Sequence, residues 1–97
     1  MPAYIIVDVS VLDTAAYEQY KQLTPASIAA YGGKFIVRGG CTEILEGNWQ
    51  PGRMVVLEFD DTDKAKAWWA SEAYATAKAI RQSAAHTNML LVEGYSV

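Results

Sequence analysis

The segment that decides the fold is Tyr31-Gly32-Gly33-Lys34-Phe35-Ile36-Val37-Arg38-Gly39-Gly40. Gly32 predicts the end of a preceding helix, because glycine enters the left-handed backbone region without the penalty that a Cβ atom imposes. The run from Lys34 to Arg38 contains β-branched and aromatic residues and predicts a strand. Paired glycines within an extended stretch indicate a bulge, so we expect Gly39-Gly40 to interrupt this strand without ending it.

The residues after this segment predict the second half of a β-hairpin. Thr42 to Glu46 is expected to continue the first strand beyond the bulge. The turn Gly47-Asn48-Trp49-Gln50-Pro51-Gly52 follows, with residue types that favour a change of chain direction. Arg53 to Phe59 is again rich in apolar and β-branched residues, which predicts the returning strand.

The chain before the segment predicts a strand followed by a helix. Ala3 to Ser10 is an apolar run with β-branched residues, which is typical of a strand. Asp13 is a candidate N-cap, and apolar and aromatic residues then recur near the helical period as far as Tyr31. Pro25 has no amide donor and disfavours helical geometry in the residue before it, so we expect a kink or break there.

The chain after the hairpin predicts a second helical region and a last strand. The run Asp60-Asp61-Thr62 predicts a helix cap, and Ser71 predicts a second cap after which helix continues through Arg81. Thr87 to Tyr95 predicts the last strand. The order strand, helix, strand, strand, helix, strand indicates a ferredoxin-like α+β fold. We therefore expect one domain over residues 1–97, with a four-stranded antiparallel sheet and two helices on one face.

Composition excludes several classes of function. The net charge of −3 and the pI near 4.9 argue against nucleic-acid binding, which usually needs a basic surface. No apolar run is long enough to span a bilayer, and no export signal is visible, so we expect a cytoplasmic protein that does not bind membranes. One His and one Cys do not make a transition-metal set, so no metal or other cofactor is expected. The hydrophobic fraction of 52% is high for a small monomer and favours a shared interface.

Alternation along the strands divides their side chains between two sheet faces. One face is wholly apolar and is expected beneath the helices: Ile5, Val7, Val9, Phe35, Val37, Val55, Leu57, Phe59, Leu90 and Val92. The other is more than half apolar: Tyr4, Ile6, Asp8, Ile36, Arg38, Met54, Val56, Glu58, Met89, Leu91 and Glu93. An apolar surface of this extent indicates an interaction site, and a second copy of the chain is the simplest partner. We expect a homodimer that pairs through the open sheet face into a closed barrel.

Several motifs are shared with a known group of bacterial proteins. They are the run Tyr31 to Gly40, the turn Leu45-Glu46-Gly47-x-Trp49-x-Pro51-x-Arg53, Glu58-Phe59, Ala67-Trp68, Ser71-x-x-Tyr74, Arg81 and Val92-Glu93-Gly94. Over residues 4–95 the chain thereby resembles the family catalogued as domain of unknown function thirteen-thirty. The resemblance implies membership of the dimeric α+β-barrel superfamily, which includes cofactor-free monooxygenases, muconolactone isomerase and small polyketide cyclases. It implies a fold and a site region without a defined reaction.

The charged residues of the second sheet face are the candidate catalytic residues. Alternation places Asp8, Arg38, Glu58 and Glu93 on that face, and Arg38 and Glu58 lie on neighbouring strands of the predicted hairpin. Glu58 or Asp8 could act as a general base while Arg38 or Arg53 stabilises an oxyanion. Alternatively, Arg38 and Glu58 form a buried ion pair that fixes how two chains dock. Glu93 is a candidate ligand-binding residue.

Aromatic residues and a second arginine are the other candidate ligand-binding groups. Arg53, beside Trp49 at the mouth of the turn, could bind a substrate carboxylate through two parallel hydrogen bonds, or form a surface salt bridge. Tyr31, Trp68 and Tyr74 could line an aromatic pocket, although their helical spacing also fits core packing. We expect that one of the neighbours Trp68 and Trp69 points away from the core.

The sequence predicts a small ligand more clearly than it predicts a reaction. We expect a protein that binds a small aromatic or carboxylate-bearing metabolite, with a cofactor-free isomerase or cyclase as the enzymatic interpretation. The alternatives are a non-catalytic binding or stress-related protein and a cofactor-free monooxygenase. Cys41 as a nucleophile, Pro2 as a tautomerase-like amine and His86 as a base each lack supporting residues nearby in the sequence.

Overall fold

The structure is a computed structural model that describes residues 1–96. In chain order the elements are β1 (Ala3–Val11), α1 (Thr14–Ala30), β2 (Lys34–Arg38), β3 (Arg53–Phe59), α2 (Thr62–Trp69), α3 (Glu72–Ala84) and β4 (Ala85–Glu93). The strands form one sheet in the order β2-β3-β1-β4, and every neighbouring pair is antiparallel. This topology confirms the predicted ferredoxin-like α+β fold.

The predicted caps start the helices. Asp13 Oδ1 accepts a hydrogen bond from the Ala16 amide at 3.1 Å, and the Asp61 carboxylate accepts one from the Lys64 amide at 2.8 Å. Ser71 Oγ accepts one from the Tyr74 amide at 3.2 Å. These side chains bond to amides that have no partner within the first helical turn. The predicted second helix is therefore two helices, α2 and α3, which are separated by a break at residues 70–71.

Of the kink or break expected at Pro25, the break does not occur. Helix α1 runs through Pro25 as far as Ala30. Proline cannot donate to the carbonyl four residues earlier, which belongs to Lys21. Arg38 Nη2, from strand β2, donates to the Lys21 carbonyl at 3.0 Å. The carbonyl therefore has a hydrogen-bond donor although the helix provides none at Pro25.

The predicted continuation of the first hairpin strand is also wrong. Strand β2 ends at Arg38, and residues 42–46 form no strand. Gly39 has a φ angle of 71°, in the left-handed region, while its amide donates to the Met54 carbonyl at 2.7 Å. Its glycine conformation turns the chain away from the sheet, so Gly39 ends the strand and no bulge forms at Gly39-Gly40.

The irregularity in this hairpin lies earlier, between Phe35 and Val37. Phe35 pairs with Leu57, but Val37 pairs with Val56 and Arg38 with Val55. This extra residue in β2 reverses the direction of the side chains that follow it. Val37 therefore lies on the sheet face away from the helices and Arg38 on the face toward them, the opposite of the prediction.

Strand β4 also has the reverse of its predicted orientation. Its pairing with β1 places Leu91 opposite Ile5 and Met89 opposite Val7, so both side chains pack against the core. Leu90, which pairs with Ile6, is 56% exposed. Because β4 is apolar at successive positions, alternation alone could not distinguish its two faces.

Aromatic residues fill the core between helices and sheet. The side chains of Trp68 and Tyr74 are completely buried, with ring centroids 4.1 Å apart. Phe59 lies 5.6 Å from the Trp68 ring, and Trp68 Nε1 donates to Ser27 Oγ at 3.1 Å. Trp69 is 44% exposed, so the expectation that the two neighbouring tryptophans diverge is confirmed.

The sheet face away from the helices, called here the open face, is about half apolar. Its apolar residues are Tyr4, Ile6, Val37, Met54, Val56, Leu90 and Val92, and its polar residues are Asp8, Ser10, Lys34, Glu58, His86 and Asn88. Several of these apolar side chains are half-buried or exposed, and those of Val37, Leu90 and Val92 are the most exposed. The face therefore carries both apolar and charged side chains, as predicted. The residues that β2 and β4 contribute to it differ from the predicted ones.

Candidate functional site

Glu58 lies on the open face and does not pair with Arg38. Its Oε2 atom is 3.0 Å from Lys34 Nζ, and its Oε1 atom accepts a hydrogen bond from the Tyr4 hydroxyl at 3.3 Å. The predicted Arg38–Glu58 pair is wrong, because the irregularity in β2 turns Arg38 to the other face. The hydrogen bond from Lys34 to Glu58 raises the pKa of Lys34.

Asp8 holds the loop between β2 and β3 against the sheet. Its Oδ2 atom accepts from Trp49 Nε1 at 3.0 Å, and its Oδ1 atom accepts from the Gly52 amide at 2.8 Å. Both oxygens thus have donors within the chain, and Trp49 remains 56% exposed. The geometry makes Asp8 a loop anchor, while its predicted role as a base stays a prediction.

Three of the predicted residues line one small cavity between α1 and the sheet. Arg38, Arg53 and Trp68 surround it, together with residues of α1, and its volume is about 30 Å³. Arg53 Nη1 donates to the Tyr17 hydroxyl at 3.4 Å, and the Arg38 guanidinium lies 4.4 Å from the centre of the Phe35 ring. The cavity has room for water but not for a metabolite in this conformation.

The remaining predicted ligand-binding residues lie elsewhere. Tyr31 is half-buried at the end of α1 and packs against the core, and Tyr74 is a core residue. Glu93 is exposed at the end of β4. That strand is separated by β1 from β3 and β2, which carry the two arginines of the cavity. The structure therefore divides the predicted site between the two faces of the sheet.

A buried tyrosine–arginine cluster was missed at the sequence level. The hydroxyls of Tyr20 and Tyr74 are 2.7 Å apart, and Arg81 Nε donates to the Tyr74 hydroxyl at 3.2 Å. Burial raises the pKa of Tyr17 and of Tyr20 above the ordinary value for tyrosine. The seven-residue spacing from Tyr74 to Arg81 puts both on one helix face, which is the signal that could have revealed the cluster.

A larger groove lies between α2, α3 and the edge strand β4. Its volume is about 540 Å³, within the range of small-molecule sites. Most of its lining is apolar: Ile5, Ala65, Trp69, Ala70, Met89, Leu90 and Leu91. The polar lining residues are Lys66, Arg81, Gln82 and Thr87, so every charged side chain that lines the groove within residues 1–96 is basic.

Two further classes of site find no support in the described part of the chain. Among residues 1–96, no three side chains of the His, Cys, Asp and Glu types come together as a metal site would require. In the same range, no helix combines the length and the apolar character needed to cross a bilayer.

The sequence was compared with protein-family profiles and with curated proteins. The profile of a family described as a domain of unknown function, DUF1330, matches residues 2–95. The chain belongs to the DUF1330 family. This membership confirms the resemblance drawn from the motifs between Tyr31 and Gly94, and the match covers nearly the whole chain. The comparison with curated proteins gave no match.

Solved structures of similar fold include dimeric proteins and an oxygenase. A protein of unknown function from Rhodopseudomonas palustris superposes with a TM-score of 0.81 at 16% identity, covering 99% of this chain and 84% of that one. A dimeric ferredoxin-like protein of unknown function from Jannaschia gives 0.73 at 13% identity, covering 97% and 100%. SnoaB, a cofactor-independent oxygenase from Streptomyces nogalater, gives 0.68 at 14% identity, covering 99% and 95%. At these identities, what the three structures share with this DUF1330 protein is the fold.

Proposed function

We propose that this chain forms a homodimer through the open face and binds a small anionic metabolite between its helices and its sheet. The observation that carries the ligand proposal is the charge of the two sites on the helix side. Arg38, Arg53, Lys66 and Arg81 line them, and no carboxylate among residues 1–96 does so. A partly apolar site whose charged lining residues are all basic favours an anion with an apolar body.

The dimer proposal is supported by the open face and by the fold neighbours. A lone sheet face with this many apolar side chains leaves a large apolar area in water. The structural neighbours from Jannaschia and from Thermobifida fusca are described as dimeric ferredoxin-like proteins. Packing two open faces together about a two-fold axis would bury the apolar residues of both copies.

Sedimentation at micromolar concentration tests the dimer. The wild-type chain is expected at twice its 10.6 kDa mass. Val37→Lys puts a charge on an exposed position of the open face and should shift the equilibrium toward the monomer. Leu23→Lys is the matched control, because Leu23 is also exposed but lies on α1. A monomeric wild-type chain, or dimers of equal stability in all three proteins, would contradict this arrangement.

Ligand binding is better supported than proton transfer by Glu58 or Asp8. Both carboxylates project from the open face, whereas the groove and the cavity lie on the helix side. A general base must reach its proton directly or through one water. We therefore propose a binding function and expect Glu58→Gln to leave ligand affinity unchanged. A cofactor-free isomerase or cyclase that uses Glu58 would instead lose turnover in this variant.

A thermal-shift screen tests the ligand proposal. Small aromatic acids, their neutral amides, lactones and quinones are compared at equal concentration, because a ligand that binds only the folded chain raises its melting temperature. We expect the acids to stabilise the protein and their amides to have little effect. Stabilisation by neutral compounds alone would contradict an anionic ligand, and no stabilisation by any class would contradict ligand binding.

A further inference from the structure

Within the proposed binding function, on which this step rests, the geometry points to the groove beside β4 as a carboxylate site built around Arg81. We propose that Arg81 and Thr87 hold the carboxylate of a small aromatic or branched aliphatic monoacid. In this arrangement Lys66 lies along the groove and Trp69 forms part of its apolar wall.

Arg81 is a buried cation with no acidic partner among residues 1–96. It is 5% exposed, and no carboxylate of residues 1–96 lies within 4.0 Å of its nitrogens. Nε donates to the Tyr74 hydroxyl, which leaves the two terminal nitrogens for other acceptors. An arginine stays protonated under all ordinary conditions, so its charge is not removed by burial. A bound anion would therefore offset a desolvation cost that the free protein carries.

The neighbouring tyrosines do not supply that negative charge. Tyr20 and Tyr74 share a hydrogen bond, and burial raises the pKa of Tyr20, which keeps its phenol neutral. The Tyr74 hydroxyl accepts a hydrogen bond from Arg81, which is not the ion pair that a carboxylate would form. The charge of Arg81 is thus available to a ligand in the groove that this side chain lines.

Thr87 provides an independent observation in the same groove. Its Oγ1 atom is buried and has no hydrogen-bond partner among residues 1–96. Thr87 pairs with Val9, a core residue of β1, so its side chain lies on the helix side of the sheet. Buried hydroxyls are normally hydrogen-bonded, and one without a partner calls for an explanation. A carboxylate oxygen in the groove would accept its hydrogen bond.

The walls of the groove define the rest of the ligand. Trp69 and Leu91 are among its apolar lining residues, and the volume of about 540 Å³ exceeds the needs of an inorganic ion. A planar guanidinium matches a carboxylate through two parallel hydrogen bonds. These features favour a monocarboxylate with an apolar body over phosphate, whose greater charge and hydration suit a more polar site.

Calorimetric titration of the full chain with benzoate, benzamide and inorganic phosphate tests the site. Benzoate should bind more tightly than benzamide by about tenfold or more, because a charged hydrogen bond contributes roughly that much. Arg81→Met should lower the affinity for benzoate by a similar factor, and Thr87→Val should lower it severalfold. Lys64→Gln is the matched control on α2, where Lys64 pairs with Asp60, and should bind as wild type. Quenching of Trp69 fluorescence, absent in Trp69→Phe, locates the ligand in the groove.

If Arg81→Met does not fold, Thr87→Val and the comparison of benzoate with benzamide still test the site. Valine at position 87 removes only a hydroxyl that has no partner among residues 1–96. Equal binding of benzoate and benzamide, full binding by Thr87→Val, or tighter binding of phosphate would each overturn this site. Benzoate binding that is lost in Arg53→Gln but kept in Arg81→Met would move the ligand to the cavity near α1. That result would overturn the Arg81 site and leave the proposed binding function standing, whereas no binding of any small acid would end both.

Discussion

Arg38 donates a hydrogen bond to the main-chain carbonyl of Lys21, with 3.0 Å between Nη2 and the oxygen. In an uninterrupted helix this carbonyl would accept the amide of residue 25, and Pro25 has none. The extra residue in β2 turns Arg38 toward α1 and so makes the contact feasible. Two local irregularities, one in a strand and one in a helix, thus compensate each other.

This relationship predicts coupling between Arg38 and Pro25. Arg38→Met should lower the free energy of unfolding by about 1 kcal/mol, because the Lys21 carbonyl loses its donor. In a Pro25→Ala background the same substitution should cost less, since the alanine amide can donate to Lys21. Urea unfolding of the four proteins measures the coupling. Additive effects would show that Arg38 does not replace the missing helical bond.

The fold was predictable because its signals are local and repeated. Asp13 and Ser71 are side chains that cap helices, and the β-branched runs are bounded by turn residues. The continuity of α1 was not predictable, because the group that restores its hydrogen bond lies 17 residues beyond Lys21 in the chain. The register shift within β2 was missed for a related reason. A bulge at Ile36 leaves no glycine or proline in the sequence to mark it.

The candidate site was predicted only in part, because strand alternation assumes an unbroken register. Arg53 and Trp68 do line a cavity, as a ligand-binding role would require. Arg38 lines the same cavity, but it does so from the helix side of the sheet, whereas the sequence placed it on the open face. Arg81 entered the sequence analysis only as a motif residue, since its isolation from carboxylates depends on how α3 packs and is not visible in its neighbours along the chain.

The tyrosine–arginine cluster predicts an asymmetry between two conservative substitutions. Tyr74→Phe removes the hydroxyl that contacts both Tyr20 and Arg81, so two buried polar groups lose that partner. Its cost should be about 2–3 kcal/mol. Tyr20→Phe leaves the Tyr74 hydroxyl bonded to Arg81 and should cost about 1 kcal/mol. Denaturant midpoints compare the two variants, and an equal or larger loss in Tyr20→Phe would contradict the bridging role of Tyr74.

The raised pKa of Tyr20 predicts how stability depends on alkaline pH. Burial is the main cause of the shift, followed by the neighbouring Tyr74. Below the ordinary tyrosine pKa of 10.0, the phenol is neutral in both states and this contribution to stability is fully present. Above it, the unfolded chain loses a proton that the folded chain keeps, so the free energy of unfolding falls as pH rises.

Urea unfolding between pH 8 and pH 11 is the corresponding measurement. The decline in stability above about pH 10 should be shallower in Tyr20→Phe than in wild type. Tyr95→Phe is the control, because the Tyr95 residue is 87% exposed, and it should keep the wild-type slope. Identical slopes in all three proteins would show that Tyr20 does not remain protonated in the folded state.

The anchoring of the β2–β3 loop predicts different effects for alanine at two of its glycines. A Cβ atom at Gly52 would overlap the main-chain carbonyl of Val9, while the Gly52 amide bonds to Asp8. Gly52→Ala should therefore displace the loop and cost about 1–3 kcal/mol of unfolding free energy. Gly40→Ala meets no atom within 4 Å and needs no positive φ, so its effect should stay within about 0.5 kcal/mol. Thermal unfolding compares the two, with faster hydrogen exchange at the residue 52 amide expected only in Gly52→Ala. Equal stability of both variants would mean that the loop is not held at Asp8.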